Sequence, residues 1–196
     1  LHSVLINLTD FNNLKKPQDP EREAVVSSYK SGKKSYKANP EVILTRSIKS
    51  LIPGENIHFY SWANFNLVRL ILHLMKITGP AHLFMTSYSF SQDSIEKLNR
   101  QLKSGDILSL KILIDHRVKV MSPKPFQMLS SCFDYRCTSL HAKVALIWNE
   151  TYKISIVTSQ NATDNPKMER GIIHNDPEIF DFDYKILSYE FERATT

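Results

Sequence analysis

The sequence is poor in the features that usually betray a fold or a location. Two cysteines in 196 residues are too few for a disulfide scaffold, and Cys132 and Cys137 stand at a spacing that is not a zinc knuckle. Even with His141 and His174 nearby, the plainer reading is two reduced thiols on opposite faces of an extended segment, so the cytoplasm is the default compartment. No apolar run reaches membrane-spanning length, since Leu67 to Met75 is broken by Arg69 and His73. No stable membrane insertion and no signal peptide are therefore expected. No internal repeat is visible, so a motif found once has no second copy in this chain. Charge of one sign is not in large excess: 25 Lys+Arg against 20 Asp+Glu gives a net +5, mildly favourable to an anionic partner.

What is present is a hydrophobic content of 42% and a charged content of 23%, ordinary for a globular domain, on a length that allows one core plus an arm. We read residues 1–40 as a polar basic arm and 41–196 as the domain. The arm carries Lys30, Lys33, Lys34 and Lys37 among Tyr29 and Tyr36, a texture that suits either a solvated surface or a grip on phosphates and exposed bases. Asn39 and Pro40 open a helix with Leu44, Ile48 and Leu51 on one face, ended by Gly54. Strand and helix then alternate: a strand over Ile57 to Trp62, a helix over Phe65 to Ile77, a strand over Leu83 to Ser87, a helix capped by Ser91 and closed by Gly105, and a strand over Leu108 to Ile114. A short helix from Pro125 to Ser130, a strand at Ile172 and Ile173, and a last helix from Pro177 carrying Ile179, Phe182, Ile186 and Phe191 complete the reading. This order predicts an α/β fold with a mixed, largely parallel sheet covered by helices on both faces. Ligands of such sheets gather beyond the carboxyl ends of the strands, which makes Ser61 and Ser87 candidate substrate-binding residues, with Trp62, Tyr88, Asp115 and His116 beside them.

The most informative stretch runs from His141 to Glu169. Val144 to Trp148 and Ile154 to Thr158 read as two strands joined by a turn at Asn149, Glu150 and Thr151. If they pair as a hairpin, His141 and Lys143 at the start of one meet Ser159 and Asn161 at the end of the other, and Glu169 follows after Pro166. An imidazole, an ammonium, a hydroxyl, an amide and a carboxylate would then converge. Such a set suits phosphodiester chemistry: the imidazole can attack phosphorus, the ammonium and amide can neutralise its oxygens, and a carboxylate can fix a histidine tautomer. No metal and no cofactor are required. His58, His73, His82, His116 and His174 lack this company and read as structural or surface histidines.

His141-Ala-Lys143, then Ser159-Gln-Asn161, then Glu169 resembles the HxK, (G)SxN and trailing Glu signature, the HKD motif, of the phospholipase D superfamily. The resemblance implies His141 as nucleophile or general acid, Lys143 and Asn161 holding phosphate, Ser159 supporting it and Glu169 orienting a histidine. Two positions depart from the pattern: Trp148 stands where the usual Asp would fall, and Thr158 where the Gly would. The family builds each active site from two such motifs, so a chain with one implies a homodimer with a shared site. The expected activity is a metal-independent phosphodiesterase, a nuclease with nucleic acid as substrate. A phospholipid-processing enzyme and an inactive nucleic-acid-binding module remain the alternatives.

Overall fold

A computed structural model of the chain describes residues 24–30, 32–38, 40–62 and 64–196, with side chains from 44 onward. In chain order the elements are β1 (Ala24–Lys30), β2 (Gly32–Ala38), α1 (Pro40–Ser47), β3 (Asn56–Trp62), α2 (Leu67–Thr78), β4 (Ala81–Ser87), α3 (Gln92–Ser104), β5 (Ile107–Asp115), α4 (Val118–Met121), α5 (Pro123–Cys132), β6 (Asp134–Thr138), β7 (Val144–Trp148), β8 (Lys153–Thr158), β9 (Met168–His174) and α6 (Pro177–Arg193). The run from Tyr29 to Lys37 falls in β1 and β2, an antiparallel pair joined to the sheet through β3. The part of the expected arm over 1–23 lies outside the described residues.

The α/β class holds, with one sheet in the order β2-β1-β3-β9-β8-β7-β4-β5-β6. The expectation of a largely parallel sheet needs correction, because only β4–β5 and β5–β6 pair in parallel and the other ladders are antiparallel. The cause is local. The crossovers through α2, α3 and α5 do carry β3, β4, β5 and β6 in one direction, but the β7-β8-β9 meander inserts between β3 and β4 and gives each an opposed neighbour. A tight turn is enough for that insertion: Asn149 Oδ1 accepts from the N–H groups of Thr151 and Tyr152 at 3.0 and 2.9 Å, as a side chain that mimics a turn does.

The helices are placed by their apolar faces and their caps. Asn66 Oδ1 accepts from Arg69 N at 2.9 Å to start α2, and Gly79, at φ 74°, ends it; only glycine takes that conformation without strain. Leu67, Leu70, Ile71 and Leu74 of α2 join α1, α3 and the inner sheet residues Leu83, Ile112 and Ile147 in the main core. On the other face α6 packs Phe180, Leu187 and Phe191 against Phe84, Leu113 and Leu146, leaving Phe182 and Ile186 exposed. Cys132 closes α5 rather than sharing an extended segment with Cys137, which lies buried in β6, and both thiols are free.

Candidate active site

Because β3, β4, β5 and β8 all end where β7 and β9 begin, the termini of six strands meet at one end of the sheet. His141, Lys143, Ser159, Asn161 and Glu169 all lie there. Alternation along the strands orders them further. Ser61 on β3 stands opposite Glu169 on β9, and the carbonyl of Lys143 accepts from Thr158 N at 3.0 Å across the mouth of the hairpin.

His141 is exposed in the connection before β7, whereas Lys143 is only 6% exposed. Lys143 Nζ donates to the His141 carbonyl at 2.7 Å and lies 3.2 and 3.3 Å from the two ring nitrogens. Nearly equal distances put the amine over the ring rather than along one lone pair, so neither nitrogen is committed to it. Burial pushes the Lys143 ammonium below the usual lysine range, and the charge of Glu169 pulls it part of the way back. The segment between the two residues is pinned by Thr86, which donates to Ala142 O at 2.7 Å and accepts from Val144 N at 3.0 Å. That hydroxyl on β4 was missed from sequence, since a lone Thr in an apolar strand carries no signal.

Asn161 sits on a loop threaded between β4 and α2. Leu67 N donates to the Asn161 carbonyl, Ser91 N to the Ala162 carbonyl at 2.9 Å, and Gln160 Nε2 to Phe65 O at 2.6 Å. The N–H of Tyr88 donates to the Asn161 side chain at 3.2 Å, and a backbone N–H can only donate, so that atom must be the amide oxygen. The amide NH2 is thereby left as the donor end of the side chain.

Two other hydroxyls are used within the protein. Ser159 Oγ donates to Glu169 Oε2 and accepts from Arg170 N at 2.9 Å. Glu169 Oε1 accepts from Asn165 Nδ2 at 2.7 Å, so within one chain the carboxylate holds Ser159 and Asn165. Ser87, fully buried, donates to Ser89 O at 2.8 Å and accepts from Ala162 N at 3.0 Å; it ties two loops together behind the site. Ser61 is also fully buried, and its hydroxyl has no partner among the described residues. Neither Ser61 nor Ser87 lines an open wall, because the strand alternation that brings them to the right end turns them inward.

A second group stands against His141. The Tyr88 ring is 5.4 Å from the imidazole, and the Arg117 guanidinium lies over the same ring at 4.7 Å. Asp115, at the end of β5, accepts from Arg117 Nε at 2.7 Å, from Arg117 Nη2 and Leu140 N at 3.2 Å, and from Arg117 N at 2.9 Å. Those donors, the Arg117 side chain foremost, hold the Asp115 carboxyl at about 2. Asp115 thus joins β5 to the residue preceding His141. His116 is exposed beside it.

The two departures from the family pattern resolve differently. Trp148 lies at the opposite end of β7, stacked on His82 at 5.2 Å. Thr158 caps the turn, its hydroxyl accepting from Gln160 N and donating to Arg170 O, both at 3.1 Å, and its neighbour across the ladder is Gly171. His73 and His174 are structural as expected: they bond Ile48 O and Asn56 Oδ1, and burial lowers both below the usual histidine range. Among the described residues no cluster of three or more His, Cys, Asp or Glu is arranged to hold a metal ion, and no helix is long and apolar enough to cross a membrane.

By sequence, no protein-family model and no curated protein matches the chain. By structure it is similar to Nuc from Salmonella typhimurium, a phospholipase D family member, with a TM-score of 0.54 and 19% identity over 64% of this chain and 87% of that one. It is similar to NucT from Helicobacter pylori at 0.52 and 17%, over 70% of this chain and 98% of that one. It also resembles part of the polyphosphate kinase from Porphyromonas gingivalis at 0.53 and 15%, over 67% of this chain but only 25% of the kinase. At such identities the shared property is the fold.

Proposed function

The chain has a phospholipase D-like fold, and from that premise we propose that it is a nuclease: a metal-independent phosphodiesterase that works through a phosphohistidine in a site shared by two copies. The observation that carries this reading is the Lys143 ammonium over an uncommitted His141 imidazole, at the same end of the sheet as an Asn161 amide whose oxygen is fixed by Tyr88 N. A nitrogen of one His141 attacks phosphorus, forming a P–N bond as the bond to the leaving oxygen breaks. The His141 of the partner copy gives that oxygen its proton. Water, deprotonated by the same second histidine, then cleaves the P–N bond and returns both rings to their starting states. Lys143 and Asn161 from each copy neutralise the charge gathering on the non-bridging oxygens. Ser159 and Glu169 act behind them, Glu169 supporting the lysine's charge and orienting a histidine.

Two histidines are needed because the departing alkoxide requires an acid and each chain supplies one motif. Arg117 over Tyr88 on one side, and Arg170 over Tyr60 at 5.8 Å on the other, favour a strand of nucleic acid, whose phosphates and bases suit cation–aromatic pairs. One observation favours a phospholipid substrate instead: Phe182, Ile186 and Tyr189 make an exposed apolar stripe on α6.

The test incubates the purified protein with DNA, RNA and phosphatidylcholine vesicles in excess chelator. Nucleic acid cleavage that persists in chelator and is lost in His141→Ala is the expected result. A strict metal requirement overturns the mechanism, and turnover of the vesicles alone replaces the substrate. The shared site is tested by titrating wild type with His141→Ala protein: activity should follow the square of the wild-type fraction, and a linear fall would mean one self-sufficient site per chain.

A further inference from the structure

We infer that Arg117 forms a second phosphate subsite of this same site, a short step along the strand from the scissile phosphate, so that the preferred substrate is a polynucleotide rather than an isolated diester. The inference rests on the nuclease reading and narrows it to substrates that carry several phosphates.

The argument begins with how Arg117 is held. Its Nε and Nη2 bond the two oxygens of Asp115 at 2.7 and 3.2 Å, and its Cζ lies over the Tyr88 ring, 4.7 Å from the centroid. A long, flexible side chain is thus fixed by a fork on one edge and a stack on one face, so little rotamer freedom remains to be lost when a ligand arrives. Asp115 is 2% exposed while the Arg117 side chain is 61% exposed. An arginine present only to balance a buried carboxylate would gain by being buried with it. Here the carboxylate is inside and the guanidinium faces water, leaving Nη1 without a partner among the described residues.

The location supplies the rest. Tyr88 is shared: one side of its ring meets Arg117, and the His141 imidazole lies 5.4 Å from it. Asp115 is shared too, since it also accepts from Leu140 N, one residue before His141. The same two side chains therefore fix the guanidinium and the connection that carries the attacking group. Successive phosphates along one strand of a duplex follow about every 3.4 Å of axial rise. Ring-to-group steps of 5.4 and 4.7 Å put the guanidinium no more than about 10 Å from the imidazole, a reach of at most about three such rises. A phosphatidyl diester carries no further phosphate in its chain to reach this group.

The test compares Arg117→Ala with wild type on two substrates: an oligonucleotide of about twelve residues, within the span of a single-strand site, and bis(p-nitrophenyl) phosphate, which has one phosphate. The ratio of kcat/KM for the oligonucleotide to that for the small diester should fall roughly tenfold or more, with the change in KM, and the slope of log affinity against log salt should lessen by about one. Arg117→Lys keeps the charge but not the fork or the stack and should recover only part of the ratio; it also carries the test if the alanine variant folds poorly. An unchanged ratio together with an unchanged salt slope overturns the inference. Should wild type cleave neither substrate, the nuclease reading fails by itself. The salt slope for binding a labelled oligonucleotide then decides the subsite: a lower slope in Arg117→Ala supports it, and an equal slope removes it.

Discussion

The two ends of the β7–β8 hairpin are built from opposite materials. At the turn end Trp148 stacks on His82 at 5.2 Å, meets Tyr184 edge-on at 5.4 Å and lies 5.7 Å from Phe180, while Lys153 pairs with Asp181 at 2.7 Å. At the open end Tyr88 is the one ring paired with His141 among the described residues; the segment from His141 to Lys143, with Ser159 and Asn161, is held by hydroxyls, backbone groups and the Glu169 carboxylate. A strand rises about 3.3 Å per residue, so five positions separate Lys143 from Trp148 by roughly 17 Å. The position where the family pattern carries an Asp is therefore on the stabilising end. Trp148 there packs against Phe180 and Tyr184 of α6 and against His82, none of them a candidate site residue.

That contrast is broken most directly by exchanging the expected effects of the two ends. On the proposed mechanism His141→Ala should lower phosphodiester cleavage by about a thousandfold or more, since the proposed nucleophile is gone. Because His141 is exposed, its melting temperature should stay near that of wild type. Lys143→Ala should cost on the order of a hundredfold in kcat through lost charge stabilisation. Trp148→Ala should do the reverse. A partly buried aromatic in three ring contacts should cost about 2–4 kcal/mol in denaturant unfolding, with kcat per folded molecule unchanged. If Trp148→Ala instead abolished cleavage while leaving stability intact, the division between the two ends would be wrong.

Beside the open end, on β9 opposite Thr158, lies Gly171, where the smaller effect of packing can be measured. A Cβ built there would stand 2.3 and 2.6 Å from carbons of the Phe59 ring and 2.8 Å from Thr158 Oγ1. The space that a glycine at 158 would leave is thus found across the ladder, and Thr158 fills its own position. Gly171→Ala should destabilise by about 1–3 kcal/mol through overpacking, read as a shifted denaturation midpoint with unchanged slope. A neutral Gly171→Ala would mean that Phe59 moves aside freely.

Much of this was legible because local signals and global structure agree. The Ser91 cap, the Gly105 stop, the apolar period of α2 and the apolar runs of β7 and β8 all act over a few residues, and all were met. Strand neighbours were not legible in the same way: the crossovers fixed direction, but nothing between Val144 and His174 says which gap in the sheet the meander enters. The site divides similarly. His141, Lys143 and Asn161 have spacing and residue type in their favour. Thr86, Asn165 and Arg117 depend on contacts between elements distant in the chain or on a turn whose geometry the sequence does not print, and the inward aim of Ser61 and Ser87 depends on which face the core occupies.

The smallest expected effect separates the two ends by charge rather than by packing. The Asp115 carboxyl titrates at about 2 in the folded chain against 3.8 as its ordinary value, so its folded pKa is depressed. It therefore contributes stability that is present above the ordinary value and is lost as pH falls from about 4 to about 2. Most of its partner Arg117 is in water, and solvent screening should hold the contribution to about 1 kcal/mol. Asp115→Asn should thus melt below wild type at neutral pH, with the gap closing toward pH 2. The deficit of Trp148→Ala, which comes from packing, should not change over the same range. Were the two deficits to change with pH in parallel, the open end would be held by packing as the turn end is, and Asp115 would not be the charged tie between β5 and the segment carrying His141.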